Sequence, residues 1–169
     1  MPSQKLTVEE IIYKAVNAQR MASERQVKDT YAATEKRLYS YPIIKLKIQR
    51  DREKIQDIRQ NGLPNRSVLV IRHQKHGVHL TPEELEDDKI QDLEAQIAVD
   101  TQEIETIDEA LAIIAGDPYA EIIRLKYFEG KSGDEIAALL SCDPGTVSRN
   151  KSRMVGRLAV FLYGMAAVI

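Results

Sequence analysis

Apolar positions recur by threes and fours along most of the chain, the spacing of helices that each bury one face. The first run opens at "LTVEEIIYKAV", with Thr7 at a cap position and Glu10 three residues on. Val8, Ile11, Ile12, Ala15 and Val16 form its stripe, and the pattern resumes as Val27, Tyr31, Thr34, Leu38 and Tyr41. This predicts one long helix, or two broken near Ala22, ending at Tyr41. Pro42 disfavours helical backbone in the residue before it and has no amide to donate, so it stops or kinks the run. A further helix is predicted from Pro42 to about Arg59, closed by Asn61-Gly62, with Ile44, Ile48, Ile55 and Ile58 on a heptad seam and Asp51 at its polar position. Thr81-Pro82-Glu83-Glu84 has the cap, first-turn proline and capping-box glutamate of a strong helix start. That helix should reach about Ala115, with Ile90, Leu93, Ile97, Ile104, Ile107, Leu111 and Ile114 alternating by threes and fours and Asp100 interrupting.

Seams this regular want a partner helix. Residues 42–59 are expected to fold back on 82–115 as an antiparallel hairpin, or else to pair with another subunit. Asp51 and Asp100 either fix the register or lie on a tolerated exposed edge. Between the two helices, Ser67 to Ile71 is short and β-prone, and residues 61–80 read as a linker or small hairpin. His73, His76 and His79 fall there at intervals of three, without the cysteine or carboxylate spacing of a metal site, so a solvated polar linker is the expected reading.

The last third breaks into shorter pieces. Asp117 caps and Pro118 starts a helix carrying Ile122, Ile123, Leu125, Tyr127 and Phe128, ended by Gly130. Ser132 and Glu135 make a second capping box for a short helix that should bury Ile136, Ala137, Leu139 and Leu140. Ser141-Cys142-Asp143 makes the turn, Asp143 caps, and Pro144 opens the final helix, with Val147, Met154, Leu158, Phe161 and Leu162 pointing inward. A connection this short between two helices is the length of a helix-turn-helix.

Charge distribution adds what the periodicity leaves out. Residues 1–60 carry 13 basic against 8 acidic groups, and 61–80 carry 3 basic and none acidic. Residues 81–121 carry 1 basic against 14 acidic, and 122–169 carry 7 against 4. The acidic middle repels phosphate, so nucleic-acid contacts should come from the ends. Cys142 is the only cysteine, which excludes an intrachain disulfide and fits a reducing cytoplasm. The chain opens with no signal-peptide pattern. The apolar tail "LAVFLYGMAAVI" is far shorter than the ~20 residues of a membrane span, so it reads as a packing surface and no membrane partner is expected. There is no phosphate loop, nucleophile elbow, carboxylate pair or metal spacing, so the expectation is a protein without enzyme activity or cofactor.

The final helix carries the candidate chemistry. From Pro144 to Ile169 it has no acid, and Thr146, Ser148, Arg149, Ser152, Arg153 and Gly156 point away from its apolar stripe. Hydroxyls and guanidinium groups on one face can donate to phosphates and read base edges. Pro144-Gly145 keeps the N-terminal end of the helix slim enough to approach a groove wall.

The stretch "DPYAEIIRLKYFEGKSGDEIAALLSCDPGTVSRNKSRMVGRLAVFL" resembles the last DNA-binding region of sigma-70-type factors. Upstream, "EKRLYSYPIIKLKIQRDREKIQDI" (Glu35 to Ile58) is similar to the Tyr-x-Tyr-Pro and charged coil of phage-encoded sigma-like regulators, the ArpU and RinA type activators of late or packaging genes. The resemblance implies base reading by Gly145, Thr146, Ser148 and Arg149. It implies phosphate contacts from Ser132, Lys151, Ser152, Arg153 and Arg157. Val147, Met154 and Leu158 would hold the reading helix in place, while Asn150 stands where that pattern has an apolar residue.

The expected fold is all-α. Residues 1–115 would supply long helices in a coiled-coil-like hairpin for oligomerisation or partner binding. Residues 116–169 would form a three-helix helix-turn-helix domain of sigma region-4 type. The expected function is a sequence-specific transcription regulator, an activator of phage or prophage genes. It would act on double-stranded DNA in the bacterial cytoplasm, at the nucleoid, as a homodimer joined through its N-terminal helices, with RNA polymerase as a further partner. Two alternatives differ in class. A small-terminase-like DNA-packaging subunit also joins such a reader to coiled helices, though with the reader usually N-terminal. A protein-interaction module would bind no DNA.

Overall fold

The computed structural model describes residues 29–64 and 81–167, except for the side chains of 165 and 166. All regular structure among these residues is helical. α1 is Thr30–Asn61, α2 is Pro82–Ile114, and α3 is Glu121–Ile123, which continues as a π-helical turn, Arg124–Phe128. α4 is Gly133–Leu139 and α5 is Pro144–Tyr163, followed by a 3₁₀ turn, Gly164–Ala167. The helix expected to open at Thr7, the β-prone Ser67 to Ile71 and the three histidines lie outside the described residues.

α1 corrects the first expectation: it does not end at Tyr41 but runs through Pro42 without interruption. A proline inside a helix removes one backbone bond and crowds the preceding turn, at a cost of about 3 kcal/mol. Here its neighbours offset that cost by packing, since Leu38, Tyr41 and Ile48 are all buried. α1 ends as expected at Asn61, where Gly62 adopts φ +75° and donates its N–H to the Ile58 carbonyl at 2.9 Å. α2 begins with the predicted reciprocal cap. The Glu84 N–H donates to the Thr81 hydroxyl at 3.2 Å, and the Thr81 N–H donates to the Glu84 carboxylate at 2.6 Å.

By contacts, the chain divides into two compact units. One comprises residues 39–64 and 81–109, and the other residues 29–38 and 110–167. The breaks therefore fall near Leu38 and Ala110, and the helix-turn-helix region takes the start of α1 into its unit.

In the first unit α1 and α2 run antiparallel. Tyr41 donates to Asp108 at 2.6 Å, Lys47 meets Asp100, and Arg59 meets Glu94 at 2.9 Å. Ile55, Ile58 and Leu93 form a shared apolar cluster, with Leu63, Ile90 and Ile97 against it. This contact is compatible with the intrachain pairing of the Ile seam. Asp51 is not on an exposed edge: it is 4% exposed and lies between Lys47 at 3.3 Å and Lys54 at 2.7 Å. The layer is two helices thick, so lysines and not depth hold its charge. Lys54 beside it, against the opposing effect of burial, keeps its carboxyl below the ordinary aspartate range.

That shift fixes a pH dependence. A depressed native pKa contributes stability above the unfolded value near 4, and the contribution is lost as pH falls through the native value. Urea midpoints should therefore drop between pH 5 and pH 3, and Asp51→Asn should reduce the drop. An identical acid response in the variant would show that Asp51 contributes nothing to it.

The second unit packs α3, α4 and α5 with the first turns of α1 and the end of α2. Its core is Leu38, Ile114, Ile122, Ile123, Ile136, Ala137, Val147, Met154, Val155 and Leu158, all at most 4% exposed. The α2–α3 connection differs from expectation. Pro118 does not begin a helix, and α3 starts three residues later. The Asp117 carboxylate instead accepts the Tyr119 N–H at 3.0 Å, and the following bonds, Ala120 to Asp117 and Ile122 to Tyr119, are of the tighter three-residue kind. The π turn then closes with the Glu129 N–H on the Arg124 carbonyl at 3.2 Å, and Gly130 terminates it at φ +69°.

Two residues expected inside face solvent. Leu139 is 59% exposed and Phe161 44%. At 100° per residue, Ile136, Ala137 and Leu140 centre the inner face of α4 more than a quarter-turn from Leu139. The inner face of α5 likewise centres on Met154, Val155, Leu158 and Ala159, a rotation that turns Phe161 out.

Candidate nucleic-acid interface

α4, a tight turn and α5 form the helix-turn-helix. Ser132 caps α4 in a complete capping box, accepting the Glu135 N–H at 3.3 Å while Glu135 accepts the Ser132 N–H at 2.8 Å. The Ser132 N–H bond is the main reason Glu135 stays ionised below its ordinary range. α4 ends in a Schellman motif, with Cys142 N–H on the Ala137 carbonyl at 3.0 Å and Ser141 N–H on the Ala138 carbonyl at 3.4 Å. This puts Ser141 at φ +51°, a left-handed conformation that suits glycine. Ser141→Gly should therefore stabilise the protein by about 0.5–1 kcal/mol, relief of strain exceeding the added unfolded-state entropy. A lower urea midpoint in the variant would refute this.

Asp143 caps α5, accepting the Thr146 N–H at 2.9 Å and the Thr146 hydroxyl as well. The hydroxyl, then the amide, holds the Asp143 carboxyl below its ordinary value. A side chain at Gly145 would bring its Cβ within 2.9 Å of Asp143 Oδ1, so the slim first turn also protects the cap. Ala137, 4% exposed, lets α4 pack close to α5.

The expected contact residues separate into groups. Ser148, Arg149 and Ser152 are exposed on α5. Thr146 is half-buried. Its hydroxyl donates to Asp143 and accepts from Arg149 at 3.3 Å, which leaves mainly its methyl for an outside contact. Ser132 is tied into its capping box. Lys151 meets Glu35 of α1 at 3.0 Å and lies 5.9 Å from the Tyr31 ring. Burial opposes its charge, but Glu35 and Tyr31 outweigh this and raise its pKa. Arg153 makes a two-pronged pair with Asp117 at 2.7 and 2.9 Å, and Arg157 approaches the same carboxylate at 3.6 Å. Arg153 leads the causes, followed by the Tyr119 amide, that hold Asp117 below its ordinary range. Asn150, apolar in the sigma-like pattern, donates to the Thr146 carbonyl at 2.9 Å and accepts from Arg153 at 2.9 Å, so it braces the polar face.

Four further residues adjoin the expected contact residues. Lys126 lines a cleft of about 180 Å³ with Ser148 and Lys151, floored by Ile122, Ile136 and Val147. Its face was not readable because the π turn rotates it relative to an α-helical count. Glu35 accepts from Tyr127 at 2.6 Å as well as from Lys151; burial works against its charge, yet Tyr127 and then Lys151 keep its pKa low. Glu35 pairs with Lys151, Asp117 with Arg153 and Arg157, and Asn150 with Arg153, so all three bear on expected contact residues.

Among the described residues no group of histidines, cysteines and carboxylates could hold a metal ion, and no helix is long and apolar enough to cross a membrane. No curated protein and no solved structure matches the chain. Residues 117–158 match the family model described as Sigma-70, region 4, which is a DNA-binding regulatory domain and not an enzyme family. The fold of α3 to α5 and this match together identify the C-terminal region as a sigma-70 region-4-like helix-turn-helix.

Proposed function

We propose that the protein is a transcription regulator that reads duplex DNA in the major groove with the first three turns of α5. The observation that carries this reading is the face of Ser148, Arg149 and Ser152, exposed and free of acid on its own helix, held on a rigid apolar base inside the region-4-like segment. Arg149 and Ser148 would read base edges, with Gly145 allowing close approach and Thr146 adding a methyl contact. Ser132, Lys151, Ser152, Arg153 and Arg157, joined by Lys126, would position the phosphates.

The finer reading is a phage or prophage activator of the ArpU or RinA type, supported by the Tyr-x-Tyr-Pro segment at Tyr39 to Pro42. Two copies joined through the N-terminal helices would present two reading helices to half-sites about 34 Å apart or a multiple of it. RNA polymerase is the partner such an activator would contact from the same N-terminal region. Bacterial cytoplasm, at the nucleoid, is where it would act.

The test is footprinting of the full chain on DNA from its own genomic neighbourhood, with random duplex as competitor. A discrete protected site, lost steeply with added salt, is expected. No protection at low salt on any fragment would end the proposal. Protection of one half-site by a complex of monomer mass would end the dimer reading alone. Protection by a multi-subunit ring would favour the packaging-subunit alternative.

A further inference from the structure

α5 has no acid of its own, yet three of its four cations are neutralised from elsewhere in the same unit. Glu35, at the start of α1, takes Lys151. Asp117, in the turn after α2, takes both nitrogens of the Arg153 fork and sits against Arg157. Arg149 is the exception. Among the described residues it makes no ion pair, and its recorded contact is the Thr146 hydroxyl. The paired groups remain reachable from water: side-chain exposure is 27% for Lys151, 46% for Arg153 and 44% for Arg157.

This arrangement bears on how the DNA-reading proposal would work, and it rests on that proposal. Non-specific DNA affinity comes from cations that replace counter-ions along the phosphate backbone, so it scales with the number of cations free to do so. A cation already holding a carboxylate must exchange it for a phosphate, and that exchange gains little. Discrimination comes from base contacts, which an internal carboxylate does not weaken.

We infer that Glu35 and Asp117 are internal counter-ions that compete with DNA phosphates for Lys151, Arg153 and Arg157. They hold down binding to arbitrary duplex and leave recognition to Arg149. Both are positioning residues: neither touches a base, and each acts through the cation it holds. Glu35 also places this control on α1, 116 residues away in sequence from Lys151.

The experiment measures binding of the full chain to a random-sequence duplex and to its footprinted site, over a series of salt concentrations. The variants are Glu35→Gln, Asp117→Asn and the double substitution. Each replacement amide keeps a carbonyl oxygen to accept from Tyr127 or from the Tyr119 N–H, and thermal melts check that the unit stays folded. The double variant should bind random duplex about tenfold more tightly, with a salt slope steeper by about 1–2, and with a smaller ratio of specific to random affinity. Lys151→Gln should lower random-duplex affinity and salt slope less in the wild-type background than in the Glu35→Gln background, where it should cancel the gain. A folded double variant with unchanged random-duplex affinity and salt slope would overturn the inference and leave the acids as braces. Should the double variant melt, the two single variants decide: unchanged random-duplex affinity and salt slope in both Glu35→Gln and Asp117→Asn would overturn it. Duplex binding gained only by the variants would support it. Failure of wild type and variants alike to bind any duplex at low salt would instead remove the DNA-reading proposal.

Discussion

Replacing Val147 by aspartate should unfold the region-4-like unit. Val147 is 4% exposed, one turn into α5, in a core with Met154, Val155, Leu158, Ile122 and Ile136. A carboxylate there would either stay buried without a partner or have to leave the core toward Lys126 or Lys151, which line the cleft that Val147 floors. An uncompensated buried charge costs about 3–5 kcal/mol, a large part of the stability of a unit this size. The expected result is loss of the cooperative melt of the C-terminal unit and, on the proposed function, loss of DNA binding with it. Val147→Ala, which removes only methyl groups, should cost about 1–3 kcal/mol and leave the fold in place. A folded, fully stable aspartate variant would mean that α5 does not pack through this face.

Replacing Arg149 by alanine should do the opposite: it should spare the fold and remove discrimination. The side chain is exposed and makes one 3.3 Å hydrogen bond, so the melting temperature should barely move. If its guanidinium makes a paired contact to a base edge, its loss costs about 1–3 kcal/mol at the specific site. That is roughly a 5- to 150-fold weakening. Binding to random duplex should change far less. Equal losses on both duplexes would reassign Arg149 to a phosphate, and no loss on either would take it out of the interface.

Much of this architecture was legible because its signals are local. The caps at Thr81, Ser132 and Asp143 bond residues three positions away, so their sequences state them directly. The Ile seams of α1 and α2 predicted a hairpin because a heptad pattern over a long helix needs a facing partner. Pro42 was misread because a local propensity, sufficient to end an isolated helix, lost to the burial of Leu38 and Tyr41 before it and Ile48 after it. Leu139 and Phe161 were misplaced because the inner face of a helix depends on which neighbours it meets, and few residues define that face in a short one. The candidate interface was legible as a face of α5 and illegible as a charge balance. Glu35 and Lys151 are 116 positions apart, Asp117 and Arg153 36, and no periodicity links such pairs.

The region-4-like unit is discontinuous: residues 29–38 precede the other unit's segment and 110–167 follow it. This has a consequence for biosynthesis. Contacts between distant segments form late, because the intervening chain must first be brought to closure. Residues 39–109, whose two helices close on each other, can do that before α5 is made. Glu35 then waits for Tyr127 and Lys151, and the unit is complete only once α5 has been made.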